Sequence, residues 1–165
     1  MQIEITRDRA LATGFLTKWE NEFNPPLSKY PGGIEGTVNM FLDHGEMLLL
    51  KKEQEAIGFL GYTKGELANS FANRSIGYVY TILIHPDYRG SKAFLRLARG
   101  FLSELEKQQE VSEVRFKAIK KDRYTNKLYS KFAKPIREEP NSQGVDSVLY
   151  SAELERLRKQ FAGDE

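Results

Sequence analysis

The residues best suited to chemistry gather around one turn. Ile82-Leu83-Ile84 ends a β-rich stretch, His85-Pro86-Asp87-Tyr88 breaks it, and Arg89-Gly90-Ser91-Lys92-Ala93 leads into a run with helical periodicity. A turn with a glycine ahead of a helix leaves backbone N–H groups unpaired, and the helix dipole adds partial positive charge to them. Such a turn is an anion site, and a pyrophosphate fits it. Arg89 adds a fixed charge with bidentate donors, and Lys92 adds an ammonium group. His85 is the nearby imidazole and a candidate general base. The other histidine, His44, is far away in sequence and no paired ligand motif is present, so a metal centre is not expected.

Missing residue types narrow the field further. The chain has no cysteine, which removes disulfides, thiolate-ligated zinc and a thiol nucleophile. No Gly-x-Ser-x-Gly and no phosphate-loop signature occurs. Between Lys117 and Lys134 stand Lys120, Lys121, Arg123, Lys127 and Lys131 against the single acid Asp122, with Tyr124 and Tyr129 interleaved. A nucleic-acid surface could be built that way. A solvated helix face is the simpler explanation, and 25 Lys and Arg against 23 Asp and Glu leave a net charge of only +2. Nucleic acid is therefore the minor reading. The N-terminal residues Met1 to Arg9 have no apolar core, and no window approaches the roughly 18 apolar residues of a spanning helix. No membrane association is expected, and a cytoplasmic location is.

Periodicity supplies the elements that must position these residues. At 165 residues, 40% hydrophobic and 29% charged, the chain suits one globular domain over 1–165. Gln2 to Thr6 alternates as a strand. Leu11, Phe15, Trp19 and Phe23 make one face of a helix over Ala10 to Phe23, stopped by Asn24-Pro25-Pro26. A loop to Gly36 and a short helix over Glu35 to Asp43 follow. Strands are predicted at Glu46 to Lys52 and Ala56 to Tyr62, joined by a polar hairpin, and then at Ser75 to His85. That last strand carries Tyr78, Tyr80, Ile82 and Ile84 on one face and reads as central. A helix over Ser91 to Gln109 buries Phe94, Leu97, Ala98, Phe101, Leu102 and Leu105. Val111 to Ile119 is a strand, and Arg123 to Phe132 a short helix with Tyr124, Leu128 and Phe132 inward. Pro135 to Glu139 and Asp146 to Ser151 form a final pair across the Pro140 to Gly144 turn, and the tail from Ala152 forms a helix. The order β-α-α-β-β-β-α-β-α-β-β-α predicts an α+β fold: a mixed, mostly antiparallel central sheet with helices on both faces.

Two segments carry a family resemblance. Ile82-Leu83-Ile84-His85-Pro86-Asp87-Tyr88-Arg89-Gly90 followed by a helix resembles the acetyl-CoA-binding motif of the GNAT superfamily, Val-x-Pro-x-Tyr-Arg-Gly. Asn126-Lys-Leu-Tyr-Ser-Lys-Phe-Ala-Lys-Pro resembles that family's Asn-x-x-Leu-Tyr-x-x-x-Gly-Phe segment. The resemblance implies a GNAT-like fold and transfer of an acyl group, in the simplest case acetyl, from acetyl-CoA directly to an amine. It places acyl-CoA contacts at Ile82, Ile84, Arg89, Gly90, Ser91, Lys92, Ala93 and Asn126. It makes the backbone N–H of Ile84 the group that polarises the thioester, and Tyr129 the general acid toward the leaving thiolate. A phenol and a thiol have similar pKa values, so that proton transfer is chemically reasonable. The chain departs from the family's Arg-Gly-x-Gly-x-Gly/Ala, because Lys92 and Phe94 stand at the later glycine positions, unless a shifted register gives Ala93 the small-residue place. In place of the close backbone approach that glycine allows, Lys92 would meet phosphate through its ammonium group.

The general base is not fixed by the resemblance. The position at which many members carry a glutamate aligns with Tyr80, so His85 or a water relay through Tyr80 is expected to take that role. The acceptor, a small-molecule or peptide amine, would lie between the Asn24 to Gly36 loop, the central strand and the Pro140 to Gly144 turn. A catalytically silent GNAT-like binding module, with nucleic acid on the 117–134 segment, is the alternative. A homodimer remains compatible with the sequence.

Overall fold

The computed structural model describes residues 1–23, 26–141 and 144–162. Asn24 and Pro25 of the expected helix stop, Ser142 and Gln143 of the expected turn, and the last three residues of the tail lie outside them. Seven strands form one sheet: β1 (Gln2–Thr6), β2 (Gly45–Lys52), β3 (Glu55–Lys64), β4 (Ile76–Ile84), β5 (Glu113–Ile119), β6 (Lys134–Pro140) and β7 (Asp146–Glu153). Their spatial order is β1-β2-β3-β4-β5-β7-β6, and only the β4–β5 pair is parallel. The helices are α1 (Arg9–Trp19), α2 (Gly33–His44), α3 (Ala93–Lys107), α4 (Arg123–Tyr129) and α5 (Leu154–Phe161). This is the mixed α+β arrangement expected from the element order.

Two cores lie on the two faces. Ala12, Phe15 and Leu16 of α1 and Val38 and Phe41 of α2 pack with Met47, Leu49, Phe59 and Leu83 on one face. The stripe of α3 packs with Leu48, Leu60, Tyr62, Val114, Phe116 and α5 on the other. Leu97 and Leu105 of that stripe have no exposed surface. Each contributes on the order of 1.5–3 kcal/mol by leaving water. The β2–β3 hairpin closes through Glu53 and Gln54, both at positive φ, as a two-residue turn of that kind requires.

Three expectations are corrected. Tyr78 and Tyr80 do not share a face with Ile82 and Ile84. Opposite β3, Gly61 pairs with Thr81 but Tyr62 with Val79, so Tyr80 is an extra residue in β4. A bulge of this kind shifts the alternation by one residue. The two tyrosine rings therefore lie tilted against each other, 4.3 Å apart, on the α1–α2 side, while Ile82 and Ile84 pack on the α3 side. Tyr124 is 79% exposed rather than inward, because α4 is only seven residues long and rests on the core through Leu128 and Tyr129. The first long helix stops at Trp19, and a 3-10 turn over Glu20–Glu22 carries the chain on toward Phe23.

Candidate active site

The bulge opens the sheet. β4 and β5 pair from Ile76↔Glu113 to Val79↔Phe116 and then part, although both strands continue. A bulge bends its strand, and the extra Tyr80 is where β4 leaves β5. The backbone groups beyond that point can be assigned a direction. The His85 N–H donates to Ile57 O at 2.7 Å, so by antiparallel alternation Leu83 and Thr81 also face β3. The N–H and C=O of Ile82 and Ile84 then point to the side that β5 has vacated, ready to pair with an amide-bearing chain.

The gap has a cavity on each face. On the α3 side a small apolar cavity of about 60 Å³ is bounded by Val79, Ile82, Phe94, Phe116, Tyr129 and Phe161. On the α1–α2 side a cavity of about 680 Å³ is bounded by Val79, Tyr80 and Thr81, by Tyr30 and Pro31, and by Pro140 and Asn141. Val79 is common to both, so the two meet where the strands part.

The turn expected to bind an anion stands at the C-terminal end of β4. The His85 Nδ1 accepts the Asp87 N–H at 3.0 Å, and its ring packs edge-on between Trp19 and Tyr88. His85 thus holds the turn in shape and is not among the residues lining either cavity at the gap. Gly90 has φ of +78°, a conformation that favours glycine, and a Cβ there would meet nothing within 4 Å, so its backbone is open to an approaching anion. Ser91 Oγ accepts the Ala93 N–H at 3.1 Å and donates to Tyr88 O, which fixes the entrance to α3. Lys92 is exposed beside it and Ala93 is fully buried. Phe94 lines the small cavity, with its ring 6.5 Å from Phe161. Arg89 is engaged with Glu22 at 2.6 Å. The open backbone at Gly90, two cations and the free edge of β4 fit the diphosphate and amide arm of acyl-CoA. Arg89 must exchange one anion for another to join in.

Tyr129 reaches the gap from α4. Its ring stands edge-on to Phe116 at 4.6 Å and to Tyr150 at 5.6 Å. Burial pushes the phenol up to about 12, with smaller contributions from the Asp122 carboxylate and Tyr150. No hydrogen bond to its hydroxyl is found among the described residues, so its proton is uncommitted. Asn126 is differently placed. Its Nδ2 donates to Ile119 O at 2.9 Å and to Asp122 O at 2.7 Å, and its Oδ1 accepts from Tyr150 Oη at 2.7 Å. In this structure the side chain ties α4 to β5 and β7.

Sequence reasoning missed Glu66. It sits in the polar β3–β4 connection, where nothing marks it off from its neighbours, yet it is only 6% exposed and lines the large cavity. Tyr80 above it accepts the Leu67 N–H at 2.8 Å, and burial pushes its phenol up to about 12. Two cations of the basic segment are engaged with acids of β6. Lys117 lines the cavity and pairs with Glu139 at 3.3 Å, and Lys120 pairs with Glu138 at 2.9 Å. Among the described residues no group of three or more metal-binding side chains is found, and no helix is long and apolar enough to cross a membrane.

Solved structures that share this architecture include acetyltransferases. The ribosomal-protein-S18-alanine N-acetyltransferase of Escherichia coli superposes with a TM-score of 0.69 at 14% identity, covering 93% of both chains. The aminoglycoside 6'-N-acetyltransferase of Enterococcus faecium gives 0.69 at 11% identity, covering 93% of this chain and 97% of that one. An acetyltransferase of Salmonella typhimurium, solved with acetyl-CoA, gives 0.66 at 11% identity and 93% of both chains. No family model and no curated protein matches the sequence. The chain has the GNAT fold.

Proposed function

We propose that this chain is an N-acetyltransferase that moves an acetyl group from acetyl-CoA to an amine. One observation carries the reading: the gap between β4 and β5 joins an anion turn and a free strand edge on one face to a large cavity on the other. Acetyl-CoA, when bound, supplies the activated thioester. The turn at Arg89–Ala93, with Lys92, holds the diphosphate through N–H groups and cations. Ile82 and Ile84 hold the arm through backbone pairing, and the Ile84 N–H faces the developing negative charge on the carbonyl oxygen. The amine, seated in the large cavity, gives up a proton to become neutral, approaches from the opposite face and forms the C–N bond as the C–S bond breaks. Tyr129 keeps its proton at neutral pH and is placed at the gap to pass it to the departing sulfur. The amine's surplus proton leaves to solvent or to an acceptor in the cavity.

The experiment is a set of amines incubated with acetyl-CoA while free thiol is monitored, beside calorimetry of acetyl-CoA alone. Saturable thiol release with an acetylated product supports the reading. No binding of acetyl-CoA, or hydrolysis without acetylated amine, sinks it.

A further inference from the structure

The large cavity has unfinished chemistry of one kind. Among the described residues three buried side-chain atoms lack a hydrogen-bond partner: Thr13 Oγ1, Asn39 Oδ1 and Glu66 Oε1. Two of them, Asn39 and Glu66, belong to residues that line this cavity, and both atoms are acceptors. Arg115 and Arg137 stand 3.6 and 3.9 Å from Glu66, close enough to offset its charge. Neither makes a hydrogen bond with it. Arg115 gives its Nε to Glu113 and Arg137 gives its own to Glu139. Counted with Lys117, the cluster sets three cations against Glu66, Glu113 and Glu139, and Glu66 Oε1 is still short of a donor. Lys117, the cation on the cavity wall, is turned to Glu139. Asp43 lies exposed on the same lining with no ion pair among the described residues, and the walls include the rings of Tyr30, Phe71, Tyr78 and Tyr80.

A ligand that completes this cavity must bring N–H donors. An anion would bring only lone pairs and would face Glu66 and Asp43. A positively charged nitrogen satisfies Glu66 and Asn39 and is welcomed by the aromatic walls. At about 680 Å³ the cavity is in the range of small-molecule sites. We propose that Glu66 and Asn39 form the acceptor-binding pair, and that the acceptor is a small cationic amine. The identity of this ligand as an acceptor rests on the acetyl-transfer reading. Its binding does not.

The test uses the full chain without acetyl-CoA. Matched triples of amine, alcohol and carboxylate on butyl, cyclohexyl and phenylethyl frames are titrated by calorimetry into the parent protein, Glu66→Gln and Asn39→Ala. At least one amine should bind ten-fold or more tightly than its alcohol and carboxylate partners, and each variant should weaken it, Glu66→Gln by ten-fold or more. Thermal melting confirms that both variants are folded, and Asn39→Ala carries the test if Glu66→Gln is not. The proposal is overturned if no amine binds, if carboxylate or alcohol matches the amine, or if the folded variants bind as the parent does. A separate titration with acetyl-CoA keeps the two readings apart. Glu66-dependent amine binding without acetyl-CoA binding would end the acetyl-transfer reading alone, and the reverse pattern would end this one alone.

Discussion

Replacing Tyr129 with phenylalanine should separate catalysis from stability. The substitution removes a hydroxyl that has no hydrogen-bond partner among the described residues and leaves the ring against Phe116 at 4.6 Å and Phe132 at 5.9 Å. Stability near pH 7 should therefore change by less than about 0.5 kcal/mol. Tyr150→Phe is the control, because it deletes the 2.7 Å bond to Asn126 and should cost about 0.5–1.5 kcal/mol. Activity should respond in the opposite ranking. Loss of a general acid is worth about 10²–10⁴-fold in kcat, while affinity for acetyl-CoA should hold. High pH gives a third readout. The folded protein keeps the Tyr129 proton up to about 12, against an ordinary value of 10. Its contribution is whole below pH 10 and drains away between pH 10 and 12, by at most roughly 2.7 kcal/mol for a shift of that size. The phenylalanine variant lacks this drain and should melt higher than the parent in alkaline buffer. Thiol release on a genuine acceptor decides the matter. A variant with the parent's kcat refutes the acid role, and one that loses acetyl-CoA affinity with kcat intact makes Tyr129 a binding residue.

Other perturbations probe the turn and the acidic pair beside Tyr62. Arg89→Ala should weaken acetyl-CoA binding by about 1.5–3 kcal/mol, whereas Glu22→Gln, which frees Arg89 from its 2.6 Å partner, should strengthen it; calorimetry reads both. Gly90→Ala meets no atom within 4 Å but forces a residue with a Cβ to φ of +78°, so thermal melting should show a loss of about 1–2 kcal/mol. Burial and the nearby Glu104 carboxylate raise the pKa of Glu46. The folded chain thus holds that proton to higher pH than the unfolded chain does, and stability falls as pH rises through the raised value. Glu46→Gln should raise the melting temperature at pH 7 and lose its advantage in acid below the ordinary glutamate range.

What could be read in advance was whatever depends on local spacing. The α3 stripe and the alternation of Val114, Phe116 and Ala118 are written in one segment each, and all of these residues except Phe94, which lines the small cavity, appear in the core. The bulge at Tyr80 is a mismatch of register between two strands, so no single strand announces it, and the tyrosine pair was expected on the wrong face. Glu66 looks like any acid in a polar connection until β5 and β6 bring Arg115 and Arg137 to it. Arg89 was expected to meet an anion, and the partner it has in this structure, Glu22, comes from 67 positions earlier. Asn126 carried the right motif, and only the fold shows that its side chain is engaged three times over.

The gap at Val79 also bears on the order of events. If the thioester loads from the α3 face and the amine from the α1–α2 face, neither reactant has to cross the other's path. Both could be resident together, in either sequence of addition, and each product could depart by the door through which its parent came. No group in the described gap needs to carry the acetyl between visits. Initial-velocity lines in a double-reciprocal plot should then converge, and each product should compete with the reactant that shares its side of the sheet.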